Sequence, residues 1–133
     1  MTTTQRTPVH SITSAITLRS VLGADAAVSG INGIVYVAAA AVLDSVLGVS
    51  AALLVGLGIF LVVWAAALAY AATRETIAPM AVREIAAINL AWVAGSIAAL
   101  FLLDLTVIGV VWCIAQAIVV TAFAVLALRM VGE

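Results

Sequence analysis

The stretch 50–73, SAALLVGLGIFLVVWAAALAYAAT, decides the fold of this chain because it contains no charged side chain. It lies inside a charge-free run of 29 residues between Asp44 and Arg74. Three further charge-free runs, of 18, 19 and 24 residues, cover 26–43, 85–103 and 105–128. A helix of about 20 apolar residues crosses a bilayer, so the sequence predicts four transmembrane helices.

Composition supports a membrane protein and excludes other classes. Of the 133 residues, 67% are hydrophobic and 8% are charged, whereas soluble domains average about 45–50% and about 25%. Four spans use nearly the whole chain, which leaves no room for a separate soluble domain. The chain has no lysine, which excludes a lysine Schiff base, and it has no basic patch to bind nucleic acid. Its 29 alanines are typical of a GC-rich bacterial genome.

Short connections determine how the spans are arranged. Neighbouring helices joined by short connections run antiparallel, so we expect an all-α, four-helix transmembrane bundle of two antiparallel helical hairpins within residues 21–133. Residues 1–20 form a polar lead segment, for which a short interfacial helix and disorder stay open as alternatives. Ile31-Asn32 and Ile88-Asn89 are a faint sign that the two hairpins repeat. The spans are placed near 23–45, 50–73, 81–103 and 106–129.

The arginines distinguish the two ends of the bundle. All five lie at the chain termini or around the central connection: Arg6, Arg19, Arg74, Arg83 and Arg129. The other two connections carry only Asp44 and Asp104. Cytoplasmic loops of membrane proteins are enriched in lysine and arginine. We therefore expect a multi-pass protein of the bacterial inner (plasma) membrane, with both termini and the central connection in the cytoplasm.

Polar and aromatic side chains interrupt three of the spans at helical spacing. In the first span they recur at i, i+4, i+7 and i+11, on a strip about 60° wide. An unpaired amide in hydrocarbon costs several kcal/mol, so we expect these side chains to face the bundle interior. The predicted interior strip comprises Asp25, Ser29, Asn32, Tyr36, Asn89, Trp92 and Gln116. The second span instead carries a ridge of small residues for close helix contact, Gly58, Ala65, Ala69 and Ala72.

Two interpretations of the interior strip stay open. It either fixes the register of the helices through hydrogen bonds worth about 0.6–2 kcal/mol each, or it lines a pocket for a ligand. Ion or proton coupling usually needs an acid or a histidine within a span; Asp25 is the one candidate, placed near the cytoplasmic edge. Arg83 begins the third span at the same level, so we predict an Asp25–Arg83 ion pair, with Glu84 or lipid phosphate competing for Arg83.

We expect no catalytic, metal or cofactor site and no enzymatic activity. His10 is the single histidine and lies in the lead segment. Cys113 is the single cysteine and lies within an apolar run, where a thiol is most simply a small hydrophobic group. The sequence contains no nucleophile–base pair, no metal-ligand spacing and no glycine-rich phosphate loop.

The run Asp25–Tyr36, DAAVSGINGIVY, together with Asn89–Trp92, NLAW, resembles small four-span integral membrane proteins of actinobacterial type. The resemblance covers most of residues 20–130. It implies the four-span fold and no assigned activity.

Two functions follow as hypotheses. Short loops with abundant alanine and glycine favour a non-enzymatic protein that acts by helix–helix association, as an accessory subunit or a homo-oligomer. The alternative is a dimeric transporter of a small molecule or lipid intermediate that uses the interior strip. The expected partners are membrane lipid, and a second copy or another membrane protein, with a small-molecule or lipid ligand under the alternative.

Overall fold

The computed structural model describes the backbone of residues 3–132 and the side chains of residues 18–131. Within this part the chain forms five helices and no strand: α1 (Thr3–Ala38), α2 (Ala40–Leu47), α3 (Ala51–Thr73), α4 (Pro79–Leu102) and α5 (Val107–Gly132). The segments long and apolar enough to cross a membrane are Leu18–Ala38, Ala51–Thr73, Pro79–Leu102 and Val107–Val131. The predicted all-α transmembrane bundle is confirmed, and the chain is a multi-pass membrane protein.

The first span ends earlier than predicted, at Ala38 instead of near residue 45. At its other end α1 extends back to Thr3, beyond the predicted start near residue 23. Ala39, with φ −112° and ψ 17°, separates α1 from the short helix α2. Asp25, predicted near the cytoplasmic edge of this span, has its side chain buried in the bundle.

The lead segment joins the first span without a break, since α1 already begins at Thr3. The side chains of residues 3–17 lie outside the described part of the chain, and so does the side chain of His10. The alternatives for residues 1–20 therefore stay predictions.

Two antiparallel hairpins build the bundle, one in which α1 packs along α3 and one in which α4 packs along α5. In the first hairpin, a Cβ atom on Gly33 would lie 2.7 Å from the carbonyl oxygen of Gly58, and a Cβ atom on Gly58 would lie equally close to the carbonyl oxygen of Gly33. Gly30 lies opposite Ala65 in the same interface. The predicted small-residue ridge thus faces α1 at Gly58 and Ala65.

The hairpins meet unevenly. Helix α1 packs against α5, whereas α3 and α4 do not pack closely against each other over the described residues. This leaves a groove between α3 and α4.

Two apolar clusters lie on either side of the polar residues described below. One contains Leu18, Leu22, Leu68, Val82, Ile85 and Ala127. The other contains Tyr36, Ala40, Leu47, Leu54 and Leu61.

Each end of the bundle is closed by hydrogen bonds to helix termini. At the arginine end, which carries Arg19, Arg74, Arg83 and Arg129, the Arg19 guanidinium donates to the backbone oxygens of Ala72, Arg74 and Glu75. These oxygens at and just beyond the end of α3 would otherwise lack a helical donor.

At the aspartate end, which carries Asp44 and Asp104, Thr106 links the two hairpins. Its backbone N–H donates to the carbonyl oxygen of Leu47 at 3.1 Å, and its hydroxyl donates to that of Val46. Gly48 ends α2 with φ +78°, a left-handed conformation that glycine adopts without strain. The connections around residues 44–50 and 103–106 therefore lie together, opposite the arginine end.

Candidate binding groove between the hairpins

Asn89 joins three helices through one amide. Its side chain is 4% exposed. The Nδ2 atom donates to Asp25 Oδ2 on α1 at 2.7 Å, and the Oδ1 atom accepts from Trp64 Nε1 on α3 at 3.2 Å. Donor and acceptor atoms of the amide are both used, so Asn89 bridges both hairpins at one level of the bundle.

Asp25 lies deeper in the bundle than its sequence position indicates. It follows Arg19, which donates to the end of α3 at the arginine end, by six residues, which is about 9 Å of helix rise. Its side chain is 2% exposed. The other carboxyl oxygen, Oδ1, accepts from the Ser29 hydroxyl at 3.3 Å. Both donors to this carboxyl group are neutral.

The predicted Asp25–Arg83 ion pair is not formed. Asp25 bonds to Asn89 and Ser29 instead, while Arg83 is exposed on α4. The reason is helical geometry: Arg83 precedes Asn89 by six residues, which turns it about 120° away from the side that faces Asp25. Glu84, the competing partner, is exposed as well.

Aromatic side chains form a stack beside this polar cluster. The ring of Phe60 is stacked on Trp64, with centroids 6.4 Å apart, and on Trp92, with centroids 5.9 Å apart. The rings therefore cross from α3 to α4, where the backbones stay apart. The indole N–H of Trp92 donates to Gln116 Oε1 at 3.3 Å, and that of Trp112 donates to the Tyr36 hydroxyl at 2.7 Å. Each of the three tryptophans thus has its N–H paired.

Two adjoining cavities occupy the groove. The acidic cavity, of about 190 Å³, is lined by Asp25, Asn32, Asn89 and all three tryptophans. The apolar cavity, of about 500 Å³, extends towards the aspartate end as far as Leu47 and Leu105. Phe60, Trp92, Trp112 and Gln116 line both cavities. The aromatic stack therefore lies where the two cavities meet.

All seven residues of the interior strip lie at these cavities or in their walls. Asp25, Ser29, Tyr36 and Asn89 are buried, and the partly buried Asn32, Trp92 and Gln116 line the acidic cavity. Asn32 makes no hydrogen bond to another described residue, so its amide faces the cavity without a protein partner there.

Sequence reasoning missed Phe60 and Trp64 on α3, and it did not assign Trp112 to the site. Phe60 and Trp64 are four residues apart and so share a helix face, which was the available signal. Cys113 is buried, and its thiol donates to the Ser96 carbonyl oxygen at 3.1 Å. Among the described residues, no three His, Cys, Asp or Glu side chains come together as metal ligands.

No family model, curated protein or solved structure matches this chain. A fold of this kind hosts many functions, so the inference about function rests on the groove itself.

Proposed function

We propose that this membrane protein binds a small molecule in the groove between its two hairpins, as part of a non-enzymatic carrier or transporter. The observation that carries the proposal is Asp25, an acid buried within α1 that has no arginine partner among the residues whose side chains are described. Ionisable groups inside a membrane are costly and usually mark the path or site of a substrate. A purely structural role would not require an acid, because a neutral amide could accept the same hydrogen bonds from Asn89 and Ser29.

The shape of the groove supports binding of an amphipathic molecule. The apolar cavity of about 500 Å³ falls within the range of about 300–1,000 Å³ that is typical of ligand pockets. Few polar groups in an apolar wall are also typical of such pockets, and here they are concentrated at the Asp25 end. Because α3 and α4 stay apart, a hydrophobic molecule has a lateral route from the bilayer into the groove.

Orientation and assembly belong to the same proposal. We place the protein in the bacterial inner membrane with the arginine end in the cytoplasm, on the strength of the arginine distribution. Homo-oligomerisation stays a prediction; in a dimer, a second copy would cover the open side of the groove.

A cavity-filling variant tests the binding function. Gly95 lines the apolar cavity, and a Cβ atom on it would meet no atom within 4 Å. Gly56 also has open space around it but lines no cavity described above. We therefore expect Gly95→Phe to fill the groove and Gly56→Phe to leave it free, while both variants stay folded.

The probe is the neutral dye N-phenyl-1-naphthylamine, added to the full chain in detergent micelles. All three tryptophans line the groove, so energy transfer from tryptophan to dye should saturate in the wild type and in Gly56→Phe. We expect the saturable part to fall at least about fivefold in Gly95→Phe, since the added ring occupies the cavity. Quenching that rises in proportion to total dye, equally in all three proteins, would show partition into the micelle and overturn the proposal.

A further inference from the structure

We propose that the ligand of the groove is a lipophilic organic monocation, with its ammonium group beside Asp25 and its apolar body directed past the aromatic stack. This inference rests on the proposed binding function and names the ligand class of the same site.

The first argument is charge. An ionised carboxylate inside an apolar bundle is costly, and a cation paired with it offsets that cost. Asp25 receives hydrogen bonds from Ser29 and Asn89, both neutral. Of the four described arginines, Arg19 donates to backbone oxygens at the end of α3 and Arg74 donates to the Tyr70 hydroxyl. Arg83 and Arg129 are exposed. The counter-charge is therefore missing from the described residues, and a cationic ligand would supply it.

The second argument is the wall around the carboxylate. Phe60, Trp64 and Trp92 are stacked along the acidic cavity, and cations bind favourably over aromatic faces, best over tryptophan. A desolvated metal cation such as Ca²⁺ would instead need about six to eight oxygen ligands. The site provides few oxygens, and the Asn89 amide turns its N–H towards Asp25. These features favour an organic ammonium group, whose alkyl substituents suit an apolar wall.

The third argument is size. A cavity of about 150 Å³ lined by apolar side chains holds one benzene molecule, so the acidic cavity of about 190 Å³ has room for a group of benzyl size. The apolar cavity continues from it beyond Phe60 and Trp92 and would receive a longer apolar tail. One carboxyl group lines the acidic cavity, which matches a single positive charge.

Two probes of equal shape separate charge from hydrophobicity. Benzyltrimethylammonium and neopentylbenzene have the same heavy-atom arrangement and differ in one atom, a positively charged nitrogen in place of a carbon. Binding to the full chain in micelles is followed by tryptophan fluorescence and calorimetry, with empty micelles as the blank. We expect the wild type to bind the cation at least about tenfold more tightly than the neutral compound.

Variants assign that preference to the site. Asp25→Asn should abolish it, whereas Asp104→Asn removes a carboxylate from the exposed aspartate end and should leave it unchanged. An asparagine at position 25 can still accept the hydrogen bond from Asn89. The unfolding temperature of the variant shows whether the fold is kept. If Asp25→Asn does not fold, Trp92→Leu is used instead. It should lower the affinity for the cation more than the affinity for the neutral compound, because a cation–π contact is lost with the ring.

Equal affinities for both probes that Asp25→Asn leaves unchanged would overturn the cation assignment. Groove binding itself would stand in that case if the neutral dye still bound in a Gly95-dependent manner. Absence of saturable binding of the dye and of both probes would overturn the ligand class and the proposed function together.

Discussion

The amide of Asn89 donates to Asp25 and accepts from Trp64, so one side chain positions the acid and one ring of the aromatic stack. We predict that Asn89→Leu lowers the free energy of unfolding by about 2 kcal/mol, more than an average intramembrane hydrogen bond, because a buried carboxyl group loses a partner. The control is Asn32→Leu, which removes an amide that bonds to no described residue and should cost under about 0.5 kcal/mol. Reversible unfolding in mixed detergent micelles measures both variants. Equal losses would contradict the role given to Asn89.

Arg19 closes the end of α3 through three backbone oxygens. Arg19→Ala should therefore loosen the last turn of α3 and the connection that follows it. Amide hydrogen exchange at residues 71–74, whose N–H groups donate within that turn, should accelerate at least about tenfold. Arg83→Ala removes an arginine from the same end of the bundle that is exposed and should leave this exchange unchanged. Similar acceleration in both variants would mean that charge at this end, and not hydrogen bonding by Arg19, holds the connection.

At the scale of the helices, the contact between α1 and α3 depends on backbone approach at Gly33 and Gly58. Gly33→Ala would place a methyl group against the Gly58 carbonyl, so we predict a loss of about 1–3 kcal/mol in unfolding free energy. Gly23→Ala is the control in the same helix, since a Cβ atom there meets nothing within 4 Å. It should be neutral or stabilising by up to about 1 kcal/mol, because alanine favours the helix. The two variants are compared by detergent unfolding, and equal effects would exclude a close-contact role for Gly33.

The same helices explain which span boundaries the sequence could predict. The boundaries of α3, α4 and α5 were predicted within a few residues because exposed charges, such as Arg74, Asp104 and Arg129, end their apolar runs. In α1 the span ends at Ala38, where no charge lies, and the charge of Asp25 is buried inside the helix, so the same rule does not locate its ends. The break at Ala39 lies within four consecutive alanines, and neither glycine nor proline marks it. The short helix α2 beyond the break packs against α3 and α5, and local sequence does not encode those contacts.

The residues of the site were also predictable only in part, because the sequence shows which residues share a helix face but not which helices meet. Helical spacing brings Asp25, Ser29 and Tyr36 to one face, and the cost of an unpaired amide directs Asn89 inwards. Spacing within one helix does not specify which residue of another helix completes a hydrogen bond. The choice of Asn89 over Arg83 as the partner of Asp25, and the stacking of Phe60 on Trp92, depend on how the two hairpins are placed.

For the whole molecule, the groove is a departure from the symmetry that the faint repeat indicates. A twofold arrangement of the hairpins would pack α4 against α3 as α1 packs against α5, and only the second contact is made. The matching residues Asn32 and Asn89 also differ, since the first faces the acidic cavity and the second is bonded to Asp25 and Trp64. The two hairpins therefore differ most where the cavities lie.

The last prediction concerns the direction in which the whole molecule crosses the membrane. Arginine-rich ends are retained in the cytoplasm, so the arginine end should be inside and the aspartate end outside. The test uses single cysteines at the exposed positions Ser45 and Thr76, in a Cys113→Ser background, where a hydroxyl can still donate to the Ser96 carbonyl. In intact bacteria, a membrane-impermeant maleimide should label Ser45→Cys and should label Thr76→Cys only after the cells are opened. The reverse labelling pattern would show that the protein has the opposite orientation in the membrane. The predicted orientation places the acidic cavity nearer the cytoplasm and the apolar cavity nearer the outer face, so a bound cation would have its charged group towards the inside.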